Sequence, residues 1–285
     1  DDAVQSYNRA IEINPNFAQA HNNLGNVFKD LEQPKDAIKS FEKAIEINPA
    51  FAEAHNNLGN AFKELEEFDD AIKSYENAIE LNPNFAEAHN NLGNLFKDLE
   101  QFDDAVKSYQ KALSIDNNLY EAYYNLGVVF IQLKRFNEAI KSFESAIELN
   151  PNFAQAHNNL GSALMSLGKL KESIKYFKKS LDVDSDYVNA LNNLGIALTD
   201  VGQLKDGAKS IERAIEIDPD FAEAHNSLGN IFKKFKKRDK ALICYERAYA
   251  IKPDMDFVLG SILNSKMHLC FWDDFSNQLE DLTRR

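Results

Sequence analysis

Prolines and glycines recur along the chain every 34 residues, and this period restricts the fold more than any other feature. Pro15, Pro49 and Pro83 lie 34 residues apart, and three later prolines keep the same frame. A fixed period of this length predicts a repeat architecture in which each unit contacts its neighbours. The frame gives a half unit, residues 1–17, and full units at 18–51, 52–85, 86–119, 120–153, 154–187, 188–221 and 222–255.

Each unit contains two amphipathic helical patterns. With Ala18 counted as position 1, His21, Leu24, Gly25 and Phe28 occupy positions 4, 7, 8 and 11 on one helical face. The second pattern has Ala at positions 20 and 27 with an aromatic residue at 24, and Asn-Pro ends it because proline cannot continue a helix. One hairpin is too short to bury both faces, so neighbouring units must stack into an all-α solenoid.

This unit resembles the tetratricopeptide repeat, which has Leu-Gly at positions 7–8, aromatic residues at 11 and 24, Ala at 20 and 27, and Pro at 32. The resemblance covers residues 1–255. It implies a right-handed superhelix of about seven and a half helix-turn-helix repeats. We expect residues 256–285, which lose the pattern but stay helical in character, to form a C-terminal capping segment.

Two units, 154–187 and 188–221, depart most from the repeat pattern. Position 11 is Leu in both, and position 20 is Ser or Gly. Ile211 replaces the aromatic residue at position 24 in the second of them. Both also gain a glycine, Gly168 or Gly202, where the helix is expected to stop. We expect the same fold there, with slightly looser packing.

Asparagine recurs on the polar side of the first helix although it is a poor helix former. The resemblance implies that this helix lines the concave face, where a carboxamide can pair with both the N–H and the C=O of an extended peptide. The sequence therefore predicts peptide-binding residues at position 6 (Asn23, Asn57, Asn91, Asn125, Asn159 and Asn193, with Ser227 breaking the row) and at position 9 (Asn26, Asn60 and Asn94).

Two alternatives to binding remain open for these asparagines. A coding bias that favours Lys, Asn and Ile, or recent duplication of repeats, would also copy them. The asparagines at position 5 (Asn22, Asn56, Asn90, Asn158, Asn192 and Asn226) are expected at the flank of the groove as solvated surface.

Histidine occupies position 4 in five units, at His21, His55, His89, His157 and His225. These side chains fall on the apolar stripe, where Tyr123 and Leu191 stand in other units. Packed helices lie about 8–10 Å apart, so one ion could not collect several of them. We expect packing histidines and no metal site.

The remaining composition restricts the class of protein. The net charge is -13, which disfavours nucleic acid as a partner. No run of eighteen apolar residues predicts a membrane span, and the two cysteines fit a reduced cytoplasmic location. The chain contains no G-x-S-x-G, no phosphate-binding glycine loop and no H-E-x-x-H, so no catalytic site or cofactor is predicted.

Charged residues suggest two further features of a groove. Lys29, Lys63, Lys97 and Lys233 at position 12 could set specificity from its edge. The stretch KKFKKRDK at 233–240 has six cations in eight residues and could receive an acidic peptide, although a solvated helix end would look the same. The arrangement by which some family members clamp a C-terminal carboxylate, with Lys at position 5 and Arg at position 6, does not occur here.

The two ends of the sequence suggest that it is part of a longer protein. Residues 1–17 match a second helix without its first. Near the other end, Lys252–Pro253–Asp254 precedes a Cys-x-Trp-x-Asp stretch formed by Cys270, Trp272 and Asp273–Asp274. Together with the inner asparagines, this resembles the repeat region of O-linked N-acetylglucosamine transferases and their Spindly-type bacterial relatives.

That resemblance leads to the functional hypothesis. We expect a non-catalytic module that binds proteins or extended peptides and recruits substrates for a larger protein O-glycosyltransferase. The alternatives are a free-standing scaffold for complex assembly, or the repeat arm of another transferase such as a sulfotransferase or methyltransferase. Self-association through the ends of the array is a further option.

Overall fold

The computed structural model describes residues 2–271, and these residues form helices joined by short turns, with no strand among them. The chain divides into two compact units, residues 1–135 and residues 136–285. The first unit contains α1 (Asp2–Ile13), α2 (Ala18–Asp30), α3 (Pro34–Ile47), α4 (Ala52–Glu64), α5 (Phe68–Leu81), α6 (Ala86–Asp98), α7 (Phe102–Ile115) and α8 (Tyr120–Gln132). The second contains α9 (Phe136–Leu149), α10 (Ala154–Ser166), α11 (Leu170–Val183), α12 (Val188–Asp200), α13 (Leu204–Ile217), α14 (Ala222–Lys234), α15 (Arg238–Ile251) and α16 (Val258–Leu269).

Within each compact unit, helices pack as antiparallel pairs, and the pairs stack in sequence order. Within the first unit, α2 packs on α3, α4 on α5 and α6 on α7, while the first helices α2, α4, α6 and α8 also touch one another in a row. The second unit repeats this arrangement, with α10, α12 and α14 as the row of first helices. The all-α solenoid of helix pairs is therefore confirmed.

The glycine at position 8 allows each aromatic side chain at position 24 to lie against the first helix. A Cβ atom added to Gly59 would stand 2.7 Å from the ring of Tyr75, and one on Gly229 would stand 2.6 Å from Tyr245. Real Cβ atoms do not approach other atoms this closely. Glycine is therefore required here because the fully buried ring occupies the space of its missing side chain.

The turn inside each pair depends on one residue with a left-handed backbone at position 15. Gly168 and Gly202 have φ angles of 73° and 88°, as expected for helix-ending glycines. Five other units place a residue with a side chain there: Glu32, Glu66, Glu100, Lys134 and Lys236. In the α4–α5 turn, the N–H of Glu67 donates to the carbonyl of Phe62 at 2.9 Å, the bond that closes a Schellman motif.

The turn between pairs is stabilised by a side-chain hydrogen bond to the residue at position 31. In the α3–α4 turn, Oδ1 of Asn48 accepts a hydrogen bond from the N–H of Ala50 at 3.3 Å. Asp116 and Asp184 do the same in two units that lack the proline, at 2.9 and 3.1 Å. The Asx turn therefore forms whether or not proline follows at position 32.

The histidines at position 4 pack on the same turns. Nε2 of His89 lies 3.2 Å from the carbonyl oxygen of Pro83, and His157 makes the same contact with Pro151 at 2.9 Å. His21, His55 and His225 repeat it at 2.9–3.2 Å. Within residues 2–271, no group of three or more His, Cys, Asp or Glu side chains could hold a metal ion.

For the backbones of the α12–α13 pair, the expectation of looser packing is wrong. A Cβ atom added to Gly195 would stand 2.4 Å from Cγ1 of Ile211 and 2.8 Å from the carbonyl oxygen of Gly207. The backbones of the two helices therefore approach closely. They can do so because Gly207 replaces the alanine of other units and removes the side chain that would separate them.

The last described helix, α16, packs on α15. Val258 and Ile262 join a buried cluster with Ala241, Tyr245 and Ala248. The helix belongs to the predicted capping segment, 256–285. The remainder of that segment, including Trp272, Asp273 and Asp274 of the Cys-x-Trp-x-Asp stretch, lies outside the described residues.

Candidate asparagine site on the first helices

The predicted binding asparagines lie on the first helix of each pair, and a hydrogen bond to the preceding repeat holds several of them. Nδ2 of Asn57 on α4 donates to Oδ1 of Asn22 on α2, at 3.0 Å. Nδ2 of Asn91 donates to Asn56 at the same distance. In the second unit, Asn193 donates to Asn158, also at 3.0 Å. Position 6 of one repeat is thus bonded to position 5 of the repeat before it.

The prediction for position 5 is wrong. Asn22 is 0% exposed and Asn56 is 1% exposed, so both lie in the junction between repeats and not on a solvated flank. Their own Nδ2 groups donate to Oε1 of Glu53 and Glu87 at 3.1 Å. These amides are buried because their donors and acceptors are satisfied across the repeat boundary.

Other members of the predicted row have different partners. Asn125 donates to Oδ1 of Asn94 at 3.0 Å and accepts from Nζ of Lys97 at 3.4 Å. Asn23 accepts from Nε2 of Gln19 at 3.0 Å. Asn159 accepts from Nδ2 of its neighbour Asn158 at 3.2 Å. The row therefore consists of several local arrangements and not of one repeated geometry.

The asparagines at position 9 pair with tyrosines of the same repeat. The hydroxyl group of Tyr75 donates to Asn60 at 2.8 Å, and that of Tyr109 donates to Asn94 at 2.7 Å. Burial raises the pKa of both tyrosines above the ordinary range, so the hydroxyl groups remain protonated donors. Asn230, at position 9 of repeat 222–255, accepts from Tyr245 at 2.9 Å.

The structure brings two of the predicted residues together at one depression. Asn26 and Asn57 line a cavity of about 450 Å³ in the first unit, together with Glu53, Phe85 and Glu87. The glutamates at position 2 were missed in the sequence analysis. Their signal was present, since Glu53, Glu87, Glu121 and Glu223 keep the 34-residue frame.

One N–H of each bridging amide remains for other contacts. A carboxamide offers two donors and a carbonyl acceptor. Asn57 and Asn91 each use one N–H in the bond to the preceding repeat, and neither makes a second side-chain bond within residues 2–271. Asn57 is 8% exposed, so little of this side chain is accessible, whereas Asn91 is half-buried.

Lysines at position 12 lie beside the asparagine row. Nζ of Lys63 forms an ion pair with Oδ2 of Asp98 at 2.7 Å, which links α4 to α6. Lys97 lies 3.8 Å from Oδ1 of the same aspartate. Such half-exposed pairs contribute little stability individually.

Family models cover most of the chain. Models described as "Tetratricopeptide repeat" match residues 18–51, 120–153 and 154–187, residues 40–73, and residues 192–256. A model described as "TPR repeat" matches residues 1–32, 59–100 and 93–134. The chain belongs to the tetratricopeptide repeat family. A search of curated proteins finds no match.

Solved structures of this family resemble the chain. YrrB, described as a tetratricopeptide repeat protein with an unusual peptide-binding site, is 28% identical with a TM-score of 0.59, over 66% of this chain and 96% of YrrB. MamA is 27% identical with a TM-score of 0.54, over 57% of this chain and 95% of MamA. A chain of the Cut9–Hcn1 hetero-tetramer of APC/C is 15% identical with a TM-score of 0.67, over 93% of this chain and 52% of that chain. At this identity the similarity supports the fold alone.

The lengths and hydropathy of the helices can be compared with the prediction that no segment spans a membrane. Among the helices that the structure describes, none is both long and apolar enough to cross a membrane.

Proposed function

We propose that the chain is a protein-binding scaffold that holds extended peptides along the first helices of its repeats. The observation that carries this proposal is the amide pair between repeats, in which Asn57 and Asn91 are fixed by one bond and keep a second N–H and a carbonyl oxygen. The similarity to YrrB, a tetratricopeptide repeat protein described by its peptide-binding site, supports it.

Fixed amides would bind a peptide with little further ordering. An extended backbone presents N–H and C=O groups whatever its side chains, so the asparagines at positions 6 and 9 would accept many sequences. Each hydrogen bond contributes about 1 kcal/mol net. Affinity is retained because the side chains are already immobilised by the bonds between repeats.

The finer hypothesis is that this scaffold recruits protein substrates to an O-glycosyltransferase. It is supported by the Cys-x-Trp-x-Asp stretch at 270–274 after the last repeat. A free-standing cytoplasmic scaffold and the arm of another transferase are the alternatives. The coding sequence after Arg285 tests them directly, since a nucleotide-sugar-binding domain there is expected only under the first hypothesis.

The experiment for peptide binding must separate contact from stability. We would measure affinity for a labelled neutral peptide of Gly, Ser and Val residues by fluorescence anisotropy. Replacing Asn57 and Asn91 with Ala together should weaken binding at least fivefold, as expected from about 1 kcal/mol for even one lost bond.

The matched control is the double variant with Asn22 and Asn56 replaced by Ala. It removes the same bonds between repeats, but from buried side chains that cannot touch a ligand. We expect a smaller loss of affinity for this control, because it releases the amides of Asn57 and Asn91 but leaves them available to a ligand. Equal losses in the two variants would mean that the asparagines only join the repeats, and peptide binding by the row would be rejected.

A further inference from the structure

A second depression, in the other compact unit, lies where three departures from the repeat pattern meet. It has a volume of about 650 Å³ between α12, α13 and α14. Ile196 stands where the first repeats have asparagine at position 9, Ile211 where others have an aromatic residue, and Ser227 where six repeats have asparagine. Each change alters the shape or polarity of the same space.

The serine at position 6 leaves the usual bond between repeats unmade. The hydroxyl group of Ser227 turns back and donates to the carbonyl of Glu223 at 2.8 Å. Oδ1 of Asn192, which would otherwise accept an amide N–H, is buried without a hydrogen-bond partner in the described part of the chain. A buried acceptor without a hydrogen bond keeps its desolvation penalty, so the arrangement is unfavourable for the repeat stack alone.

The floor of the depression is apolar. Ile211 and Ile231 are buried, and the half-buried Ile196 completes the apolar part of the lining. Ile196 and Ile211 replace the polar Asn–Tyr pair that occupies the same positions in repeats 52–85 and 86–119. A surface of this kind fits an aliphatic side chain better than a peptide backbone.

The rim of the depression is cationic. Position 13 is acidic in the first three full repeats, at Asp30, Glu64 and Asp98, but it is Lys234 here, directly after Lys233. Lys234 pairs with Asp200 at 3.3 Å, whereas Lys233 has no equivalent acidic partner in residues 2–271. Four more cations follow by residue 240 in a chain with net charge -13.

We propose that this depression binds an acidic peptide segment through one aliphatic side chain. The aliphatic group occupies the isoleucine-lined floor, and flanking carboxylates face Lys233 and Lys234. This inference rests on the proposed function as a peptide-binding scaffold and adds a sequence preference to it. It gives the second unit a preference that the first unit's depression, which is lined by amides and by Glu53 and Glu87, does not share.

The test uses a defined probe, the labelled peptide Gly-Asp-Glu-Leu-Glu-Asp-Gly, in fluorescence anisotropy with the full chain. We expect saturable binding at least tenfold tighter than for the same peptide with Gly in place of Leu. A peptide with Asn and Gln in place of Asp and Glu should also bind at least tenfold more weakly. Affinity for the acidic probe should fall with added salt, because the lysines are exposed.

Two variants locate the site. Ser227→Asn restores the residue found in the other repeats, offers an N–H to Asn192 and narrows the depression. This variant should lower the affinity for the acidic probe at least fivefold. It should also raise the denaturation midpoint, so loss of folding cannot explain the lower affinity. Replacing Lys233 and Lys234 with Gln should weaken binding and reduce its salt dependence. Lys209→Gln, on the exposed side of α13, is the charge control and should change affinity less than twofold.

Each outcome decides the proposal. Equal binding of the three peptides, no saturation at millimolar probe, or unchanged affinity in Ser227→Asn would overturn it. The proposed function is tested separately: it would still stand if binding of the neutral peptide depends on Asn57 and Asn91. Conversely, acidic binding that is sensitive to Ser227→Asn would stand even if the Asn57 and Asn91 variants bind neutral peptide normally.

Discussion

Asn22 illustrates how a single side chain acquires two roles at a repeat boundary. Its carbonyl accepts from Asn57 and its amide donates to Glu53, so one residue joins α2 to α4 by two bonds. Asparagine costs roughly 0.7 kcal/mol in a helix relative to alanine, and one bond of about 1 kcal/mol already offsets this. The repeated amides therefore have a structural reason to be kept, whether or not they also bind peptide.

A double-mutant cycle measures this junction. Replacing Asn57 with Ala removes a donor and leaves the buried Oδ1 of Asn22 unsatisfied, so unfolding should become easier by about 1–3 kcal/mol. Replacing both residues with Ala should cost less than the sum of the single changes, because no orphaned acceptor remains. Urea denaturation followed by circular dichroism provides the values. Additive losses would show that the two amides do not interact.

At the scale of the element, helix pairs such as α4–α5 depend on a glycine that faces an aromatic ring. Gly59→Ala would force Cβ into the ring of Tyr75, at 2.7 Å, and should destabilise the chain by about 1–3 kcal/mol, as overpacking does. Gly260→Ala in α16 is the matched control, since no atom lies within 4 Å of its added Cβ. Alanine should stabilise that helix by roughly 0.5–1 kcal/mol. Thermal denaturation of both variants should give shifts of opposite sign.

The turn inside each pair has a conformational cost when its left-handed residue is not glycine. Glu66 has a φ angle of 60°, a conformation that costs an L-residue roughly 1–2 kcal/mol. Glu66→Gly should therefore raise stability, by up to about 1 kcal/mol after the greater freedom of glycine in the unfolded chain is subtracted. Gly168→Ala, at a φ angle of 73° with open space around its Cβ, should lower stability. The prediction fails if denaturation midpoints do not move in opposite directions.

At the scale of the whole molecule, charge is distributed unevenly between the two compact units. Residues 1–135 contain 12 Lys and Arg against 23 Asp and Glu, for a net charge of -11. Residues 136–285 contain 20 against 22, for a net charge of -2. Because long-range attraction follows net charge, acidic ligands should meet less repulsion near the second unit. This agrees with the lysine-rimmed depression there.

The cysteines provide a probe of how the second unit opens. Cys244 lies in α15 against Ala224, Leu228 and Ile231, and burial raises its pKa to about 11, with Glu212 adding to the shift. At pH 8 the thiol should therefore be protonated and react slowly with a disulfide reagent. In a Cys270→Ser variant, labelling of Cys244 should accelerate only under conditions that separate α14 from α15. Labelling as fast as that of free cysteine would contradict this burial.

The helix pairs, their order and the residues of their core could be predicted from the sequence, because apolar periodicity and fixed glycine and proline spacing are local properties. The 34-residue frame also placed the turn glycines and the packing histidines. The partners of the asparagines could not be predicted. Whether Asn22 faces solvent or Glu53 depends on how the next hairpin lies against it, and only the stacking of distant segments determines that. The depression beside Ser227 was missed for the same reason, since it forms where side chains from three helices fail to fill the space between them.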